Sequence, residues 1–186
     1  MNYTTDTLVD PLPAAPAAEN SPVDESLERY HVHAWGDGYF SINASGNATV
    51  RPFRSASCEI DIHEVVAEIK RRGISSPVLI RFQDVLRGRV VQLNEAFGNA
   101  VAEMEYQNRY TGVYPIKVNQ LHEVVEEIID AGAPYGMGLE CGSKTELVAA
   151  LPHLVNDETL LICNGYKDQQ MIELILSGQR LGKNII

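Results

Sequence analysis

Cysteine is scarce in this 186-residue chain, with three residues, Cys58, Cys141 and Cys163. The count is odd and no C-x-x-C spacing occurs, so neither a disulfide framework nor a zinc site is suggested. Reduced thiols point to the cytoplasm. Basic residues are also few. Lys and Arg number 15 against 25 Asp and Glu, a formal net charge of −10. That balance opposes a surface built to neutralise phosphates, so no nucleic-acid partner is expected. It equally disfavours docking on anionic lipid. No apolar run approaches the ~18 residues a membrane-spanning helix needs. Met1 to Asp10 carries two acids, no Lys or Arg, and no following apolar stretch, so a signal peptide is not expected.

What is present is ordinary globular material, 45% apolar and 22% charged, enough for a sizeable core. Residues 1–25 read as a disordered tail, because Pro11-Leu12-Pro13-Ala14-Ala15-Pro16-Ala17-Ala18 is low in complexity. Residues 26–75 read as an N-terminal β segment followed by a helix. Three strands are expected, over Tyr30–Trp35, Tyr39–Asn43 and Ala48–Arg51, with turns at Gly36-Asp37-Gly38 and Ser45-Gly46-Asn47. So short a meander must pack on something else. Asp61 with Glu64 makes a capping-box pattern, and Ile62, Val65, Val66 and Ile69 give a helix to Arg72, stopped at Gly73.

Residues 76–186 alternate strand and helix. Pro77–Phe82 reads as a strand, followed by a long helix with Leu86, Val90, Leu93, Phe97, Val101 and Met104 on one stripe. Strands are then expected at Gly112–Lys117, Gly136–Glu140 and Thr159–Cys163. Helices follow each, the second capped by Ser143 with Glu146 and the third opened by Asp168. A fourth strand begins near Asn184. The strand ends Lys117, Glu140 and Cys163 lie 23 residues apart each time. Such alternation implies parallel strands with right-handed crossovers, and units this compact fit a (β/α)8 barrel better than an open doubly wound sheet. The chain stops inside an apolar strand, with about half of a barrel's strands in hand. It therefore reads as an N-terminal fragment of a longer protein.

In parallel α/β folds, chemistry collects at the C-terminal ends of strands. Lys117 stands there among Val113, Tyr114, Pro115, Ile116 and Val118. An ammonium desolvated by such neighbours gives up its proton more readily and can form a Schiff base with an aldehyde. The alternative is a lysine that snorkels to water. Glu140, on the next strand, would lie within reach of Lys117 or of a cation bound there. Otherwise it pairs with Lys144 or caps Ser143. The remaining candidates are weaker. His31 and His33, on one face of the expected first strand, offer two metal ligands without a third. His63 and His122 fall in first helical turns and His153 near a loop. Gly136-Met137-Gly138 contains G-x-G without the rest of the dinucleotide fingerprint. Asn164-Gly165-Tyr166-Lys167-Asp168 is either an anion site or a capped turn.

Three stretches carry a more specific signal. Tyr114-Pro115-Ile116-Lys117-Val118-Asn119-Gln120, Gly138-Leu139-Glu140-Cys141-Gly142-Ser143-Lys144-Thr145-Glu146-Leu147 and Ile162-Cys163-Asn164-Gly165-Tyr166-Lys167-Asp168 together resemble biosynthetic arginine decarboxylases. These are pyridoxal-phosphate enzymes of the alanine-racemase-like (fold type III) barrel class. Trp35-Gly36 and Tyr39-Phe40 resemble the same family's N-terminal β segment. The likeness runs from about Tyr30 to Ile186. A bare Y-x-x-K-x-N would be shared with diaminopimelate and ornithine decarboxylases.

The resemblance implies that Lys117 forms the Schiff base with pyridoxal 5'-phosphate and that L-arginine displaces it as an external aldimine. Loss of CO2 with the ring as electron sink gives agmatine, a step towards polyamines such as spermidine. It implies that Glu140 is an acidic neighbour of that lysine. It implies that phosphate-binding and substrate-reading residues come from later strands, that a second subunit closes the site in a homo-oligomer, and that magnesium is a further cofactor. No metal ligands are identified in this chain, and residues 1–186 alone are expected to be inactive. The competing readings are another pyridoxal-phosphate decarboxylase, for diaminopimelate or ornithine, or a non-catalytic homologue acting as a partner subunit.

Overall fold

A computed structural model describes residues 21–186, so most of the expected tail lies outside the described residues. The chain is α/β, with an antiparallel and a parallel sheet of three strands each.

The described chain opens with helix rather than the disordered residues and strand expected there. Helix α1 (Pro22–Arg29) and the short α2 (Val32–Gly36) occupy the region that includes Tyr30–Trp35. The cause is local. Ser21 accepts from the Asp24 N–H at 3.2 Å, and Asp24 returns a bond to the Ser21 N–H at 3.1 Å, a closed capping box with Pro22 at the first helical position. That start outweighs the β propensity of a few residues. His31 adopts the left-handed conformation between the helices and His33 lies within α2. The two imidazoles therefore do not share a strand face.

Strands β1 (Phe40–Ile42) and β2 (Ala48–Val50) form the expected hairpin, with Phe40 opposite Val50. The short β3 (Ile60–Asp61) completes the antiparallel sheet. Asp61 caps α3 (Ile62–Arg71) by accepting from the His63 and Glu64 amides. Its other oxygen accepts from Asn43 and Asn47, so one carboxylate joins the hairpin to the helix.

Pro77–Phe82 is not a strand. Leu79 is 71% exposed, and no neighbouring strand among the described residues takes up its backbone groups. An extended apolar segment becomes a strand only where a partner satisfies its N–H and C=O groups. Helix α4 (Gln83–Glu103) follows. Its Arg89, with Arg54, brackets the Tyr39 ring, each guanidinium 5.0 Å from the centroid, and both arginines pair with Asp37.

The parallel sheet holds β4 (Val113–Pro115), β5 (Gly138–Cys141) and β6 (Leu161–Cys163) in that order. Helices α5 (His122–Gly132), α6 (Lys144–Ala150) and α7 (Gln169–Arg180) follow the three strands in turn. The expected fourth strand is a single parallel bridge, Leu161 to Ile185. Register puts Pro115, Glu140 and Ile162 side by side, with Leu139–Leu161 and Cys141–Cys163 as flanking pairs. Side chains alternate across a strand. Leu139, Cys141, Leu161 and Cys163 therefore share one face, and they join Val125, Leu147, Leu154, Met171 and Ile185 in the main core. Each fully buried aliphatic there contributes roughly 1.5–3 kcal/mol. Glu140 belongs to the opposite face.

Candidate active site

Strand β4 ends at Pro115, so Lys117 does not terminate a strand as expected. It sits in a single 3-10 turn, Ile116–Val118. Ile116 is buried in the core, and the turn packs on β5 and α6. Lys117 itself is exposed, with neither an ion pair nor a hydrogen bond among the described residues. The desolvated lysine expected from its apolar neighbours is therefore not found in this chain. Ile116 takes the buried place, and the turn directs Lys117 outward. The segment's far end is anchored: the Tyr114 hydroxyl donates to the Asn119 carbonyl at 3.3 Å, and the Leu121 N–H donates to Asn119 Oδ1 at 3.1 Å. Burial pushes the Tyr114 phenol above its ordinary pKa.

Glu140 is only 7% exposed, and neither carboxylate oxygen has a hydrogen-bond partner among the described residues. Its alternative roles are both taken by others. Lys144 Nζ donates to Asp168 Oδ2 at 2.6 Å, and Ser143 acts as its own helix cap, accepting from the Glu146 N–H at 3.2 Å. A buried carboxylate without donors is unfavourable unless positive charge or a donor arrives from elsewhere. Glu140 lies on the face away from the core, beside the strand that leads into the Lys117 turn.

The strand-end loops are drawn together. The Asn164 N–H donates to the Cys141 carbonyl at 2.8 Å. Gly165 passes so close to Gly142 that a Cβ there would overlap the Gly142 carbonyl oxygen. The Asn164–Asp168 loop is a capped turn: Asp168 accepts from the Met171 N–H at 2.8 Å and from Lys144. Those bonds, the one from Lys144 first, hold its carboxyl below the ordinary aspartate value. Tyr166 in the same loop is 98% exposed.

Cys141 and Cys163 meet behind the site with sulfurs 3.6 Å apart. Burial pushes the Cys141 thiol up to about 12 and raises Cys163 as well, so neither is a nucleophile. A cavity of about 470 Å³ opens at the opposite end of the sheet, lined by Arg109, Tyr110, Tyr135 and His153, and contributes nothing to the Lys117 end. Among the described residues, no group of three or more His, Cys, Asp or Glu is placed to hold a metal ion, and no helix is long and apolar enough to cross a membrane. Sequence reasoning read Glu146 only as a helix cap and passed over Gln120. No sequence pattern signals the contact between them, Gln120 Nε2 donating to Glu146 Oε1 at 3.3 Å.

In this α/β fold an exposed lysine thus stands just past the C-terminal end of β4, and a buried carboxylate without hydrogen-bond partners among the described residues stands on the adjacent strand β5. Residues 89–181 match the family model described as pyridoxal-dependent decarboxylase, pyridoxal binding domain, and the chain belongs to that family. It is 47% identical over 160 residues to a biosynthetic arginine decarboxylase of Gloeobacter violaceus, covering 86% of this chain and 25% of the relative. It is 44% identical over 168 residues to one from Prochlorococcus marinus, covering 90% of this chain and 26% of the relative. The crystal structure of the Campylobacter jejuni biosynthetic arginine decarboxylase superposes with a TM-score of 0.75 at 30% identity, over 84% of this chain and 25% of that one. The chain thus spans about a quarter of the length of these relatives.

Proposed function

We propose that this chain supplies the lysine-bearing part of an arginine decarboxylase, which converts L-arginine to agmatine and CO2 in polyamine biosynthesis. In this reading residues 76–186 form the first part of a (β/α)8 barrel. Residues 26–75 belong to a second, β-rich domain. The enzyme is a cytoplasmic homo-oligomer. Among the described residues, no cluster of three or more His, Cys, Asp or Glu is placed to hold magnesium.

The orphaned Glu140 carboxylate carries the reading. Its oxygens lie buried on the sheet face away from the core, with no hydrogen-bond partner among the described residues. That is a poor arrangement for a protein whose work ends with its own fold, and a fitting one for a site that receives a cationic nitrogen. The residues present thus fit pyridoxal phosphate: Lys117 would hold it through Nζ, and Glu140 would supply the facing negative charge. Bound there, the cofactor supplies an electron sink for the pair of electrons left when a carboxylate departs. Lys117 must be unprotonated at Nζ to capture the carbonyl carbon, so whatever covers it in the working enzyme has to remove water from this exposed amine. The β5–α6 and β6–α7 loops, locked at Gly142 and Gly165, make a rigid rim beside it.

The substrate is tested by incubating the full-length protein with arginine, ornithine, lysine and diaminopimelate and measuring CO2 and amine products. Agmatine from arginine is the expected dominant product. Preference for ornithine or diaminopimelate moves the enzyme elsewhere in the same family. No product from any of the four supports a non-catalytic homologue.

A further inference from the structure

We infer that Glu146 is a positioning residue for Lys117, clamping the end of the lysine segment to the β5–α6 loop through Gln120. The inference rests on the reading of Lys117 as the cofactor-holding lysine. It starts from a helix cap left half made. Ser143 caps α6 by accepting from the Glu146 N–H at 3.2 Å. In a closed capping box the third-residue carboxylate returns to the cap residue's own N–H. Asp24 does so at α1, where it accepts from the Ser21 N–H at 3.1 Å.

Glu146 does not return. Its Oε2 accepts from the Gly142 N–H at 2.7 Å, one residue beyond the cap, and its Oε1 accepts from Gln120 Nε2 at 3.3 Å. One half-buried carboxylate thus spans two strand-end loops. Gln120 is the third residue after Lys117. Lys117 makes no hydrogen bond or ion pair among the described residues to fix its Nζ, so the backbone of Ile116–Val118 sets where the amine stands. That backbone is held by the β4 pairing on one side. On the other it is held by the Tyr114–Asn119 bond and the Gln120–Glu146 bond. Gly142, the other partner of Glu146, lies against Gly165, so the clamp also ties the lysine segment to the third loop. Removing the carboxylate leaves the Gly142 N–H without its acceptor and the far side of the lysine segment with one of its two anchors.

The test uses the full-length protein and the variants Glu146→Ala, Glu146→Gln and Gln120→Ala, with the double variant of Glu146→Ala and Gln120→Ala. The first readout needs no cofactor. Amide hydrogen exchange of the cofactor-free protein should accelerate about tenfold over residues 116–121 in Glu146→Ala, the scale expected for losing one hydrogen bond to a charged group, while α7 is unchanged. Gln120→Ala should reproduce part of this acceleration, and the double variant should add nothing to Glu146→Ala over that segment. Glutamine keeps an acceptor for Gly142, and Gln120 can turn its amide to meet it, so Glu146→Gln should restore slow exchange.

In the loaded enzyme, Glu146→Ala should lower kcat about tenfold with little change in KM, and Glu146→Gln should recover most of it. Unchanged exchange over residues 116–121, with only the first turn of α6 loosened, would show that Glu146 is merely a cap and overturn the inference. Should Glu146→Ala not fold, Gln120→Ala and Glu146→Gln decide by the same exchange measurement. Accelerated exchange together with a cofactor attached to another lysine would overturn the inference through the reading beneath it. The two failures are thereby distinguished.

Discussion

Replacing Glu140 by methionine should make the cofactor-free protein more stable and the working enzyme worse. Methionine matches the length of the glutamate and removes both unpartnered oxygens. The neighbours in register, Pro115 and Ile162, are apolar, so the thioether finds compatible surroundings. A buried polar group without partners costs roughly 1–3 kcal/mol, and more when it is charged. The gain on substitution should therefore be ~1–3 kcal/mol in the cofactor-free protein. For a domain of this size each kcal/mol moves the Tm by about 2–4 °C, a rise of ~2–12 °C in all. Glu140→Gln should gain less, because its amide is equally without partners. With cofactor present the sign reverses. Losing a charge-assisted contact worth ~1.5–3 kcal/mol should speed cofactor loss by about 10–100-fold. Denaturant unfolding of the stripped protein and dissociation of the loaded one measure the two arms. A methionine variant less stable than the parent when stripped would show that Glu140 already has a partner, and the argument from its free oxygens would fail.

Other consequences are separable. Gly165→Ala must push a Cβ against the Gly142 carbonyl and should destabilise by ~1–3 kcal/mol, whereas Gly98→Ala, exposed in α4 with open space around it, should stabilise by about 0.5–1 kcal/mol; thermal unfolding of both variants checks the contrast. Cys141, held to about 12, and its buried partner Cys163 should resist iodoacetamide at neutral pH while half-buried Cys58 is alkylated, as peptide mass mapping would show; rapid labelling of Cys141 in folded protein would contradict its burial. Acid should weaken the fold. Hydrogen bonds from Asn47 to Asp61 and from Lys144 to Asp168 hold both carboxyls below their ordinary values. Their stabilisation is therefore complete above the unfolded aspartate pKa of ~3.9 and is lost as pH falls through the lower native values. Urea unfolding between about pH 1 and 5 should show this loss, and it should be smaller in Asp61→Asn.

The parallel half of the fold was open to reading from residue order. The 23-residue spacing of Lys117, Glu140 and Cys163 marked three strand–helix units whose strands β4, β5 and β6 stand side by side, although Lys117 itself lies two residues past the end of β4. The cap residues Asp61, Ser143 and Asp168 each accept the bond that starts a helix. The errors arose where a local signal competed with a tertiary one. Residues 30–35 look β-like by composition, but the Ser21–Asp24 box and the left-handed His31 set helices around them. Pro77–Phe82 has a strand's side chains, and no described neighbour receives its backbone. At the site, strand-end position and the resemblance singled out Lys117 and Glu140 as candidates. The exposure of Lys117 was not legible, because apolar neighbours in sequence do not bury a side chain that a 3-10 turn directs outward. The Glu146–Gln120 contact joins the first turn of α6 to a loop residue 26 positions earlier, and no local pattern encodes it.

Reduction of the full-length, cofactor-loaded protein with borohydride, followed by peptide mass analysis, tests the central assignment most directly. The added mass of the reduced cofactor should sit on Lys117, and Lys117→Ala should carry none. A modified peptide that excludes residue 117, or loaded protein that takes up no label, would contradict the account.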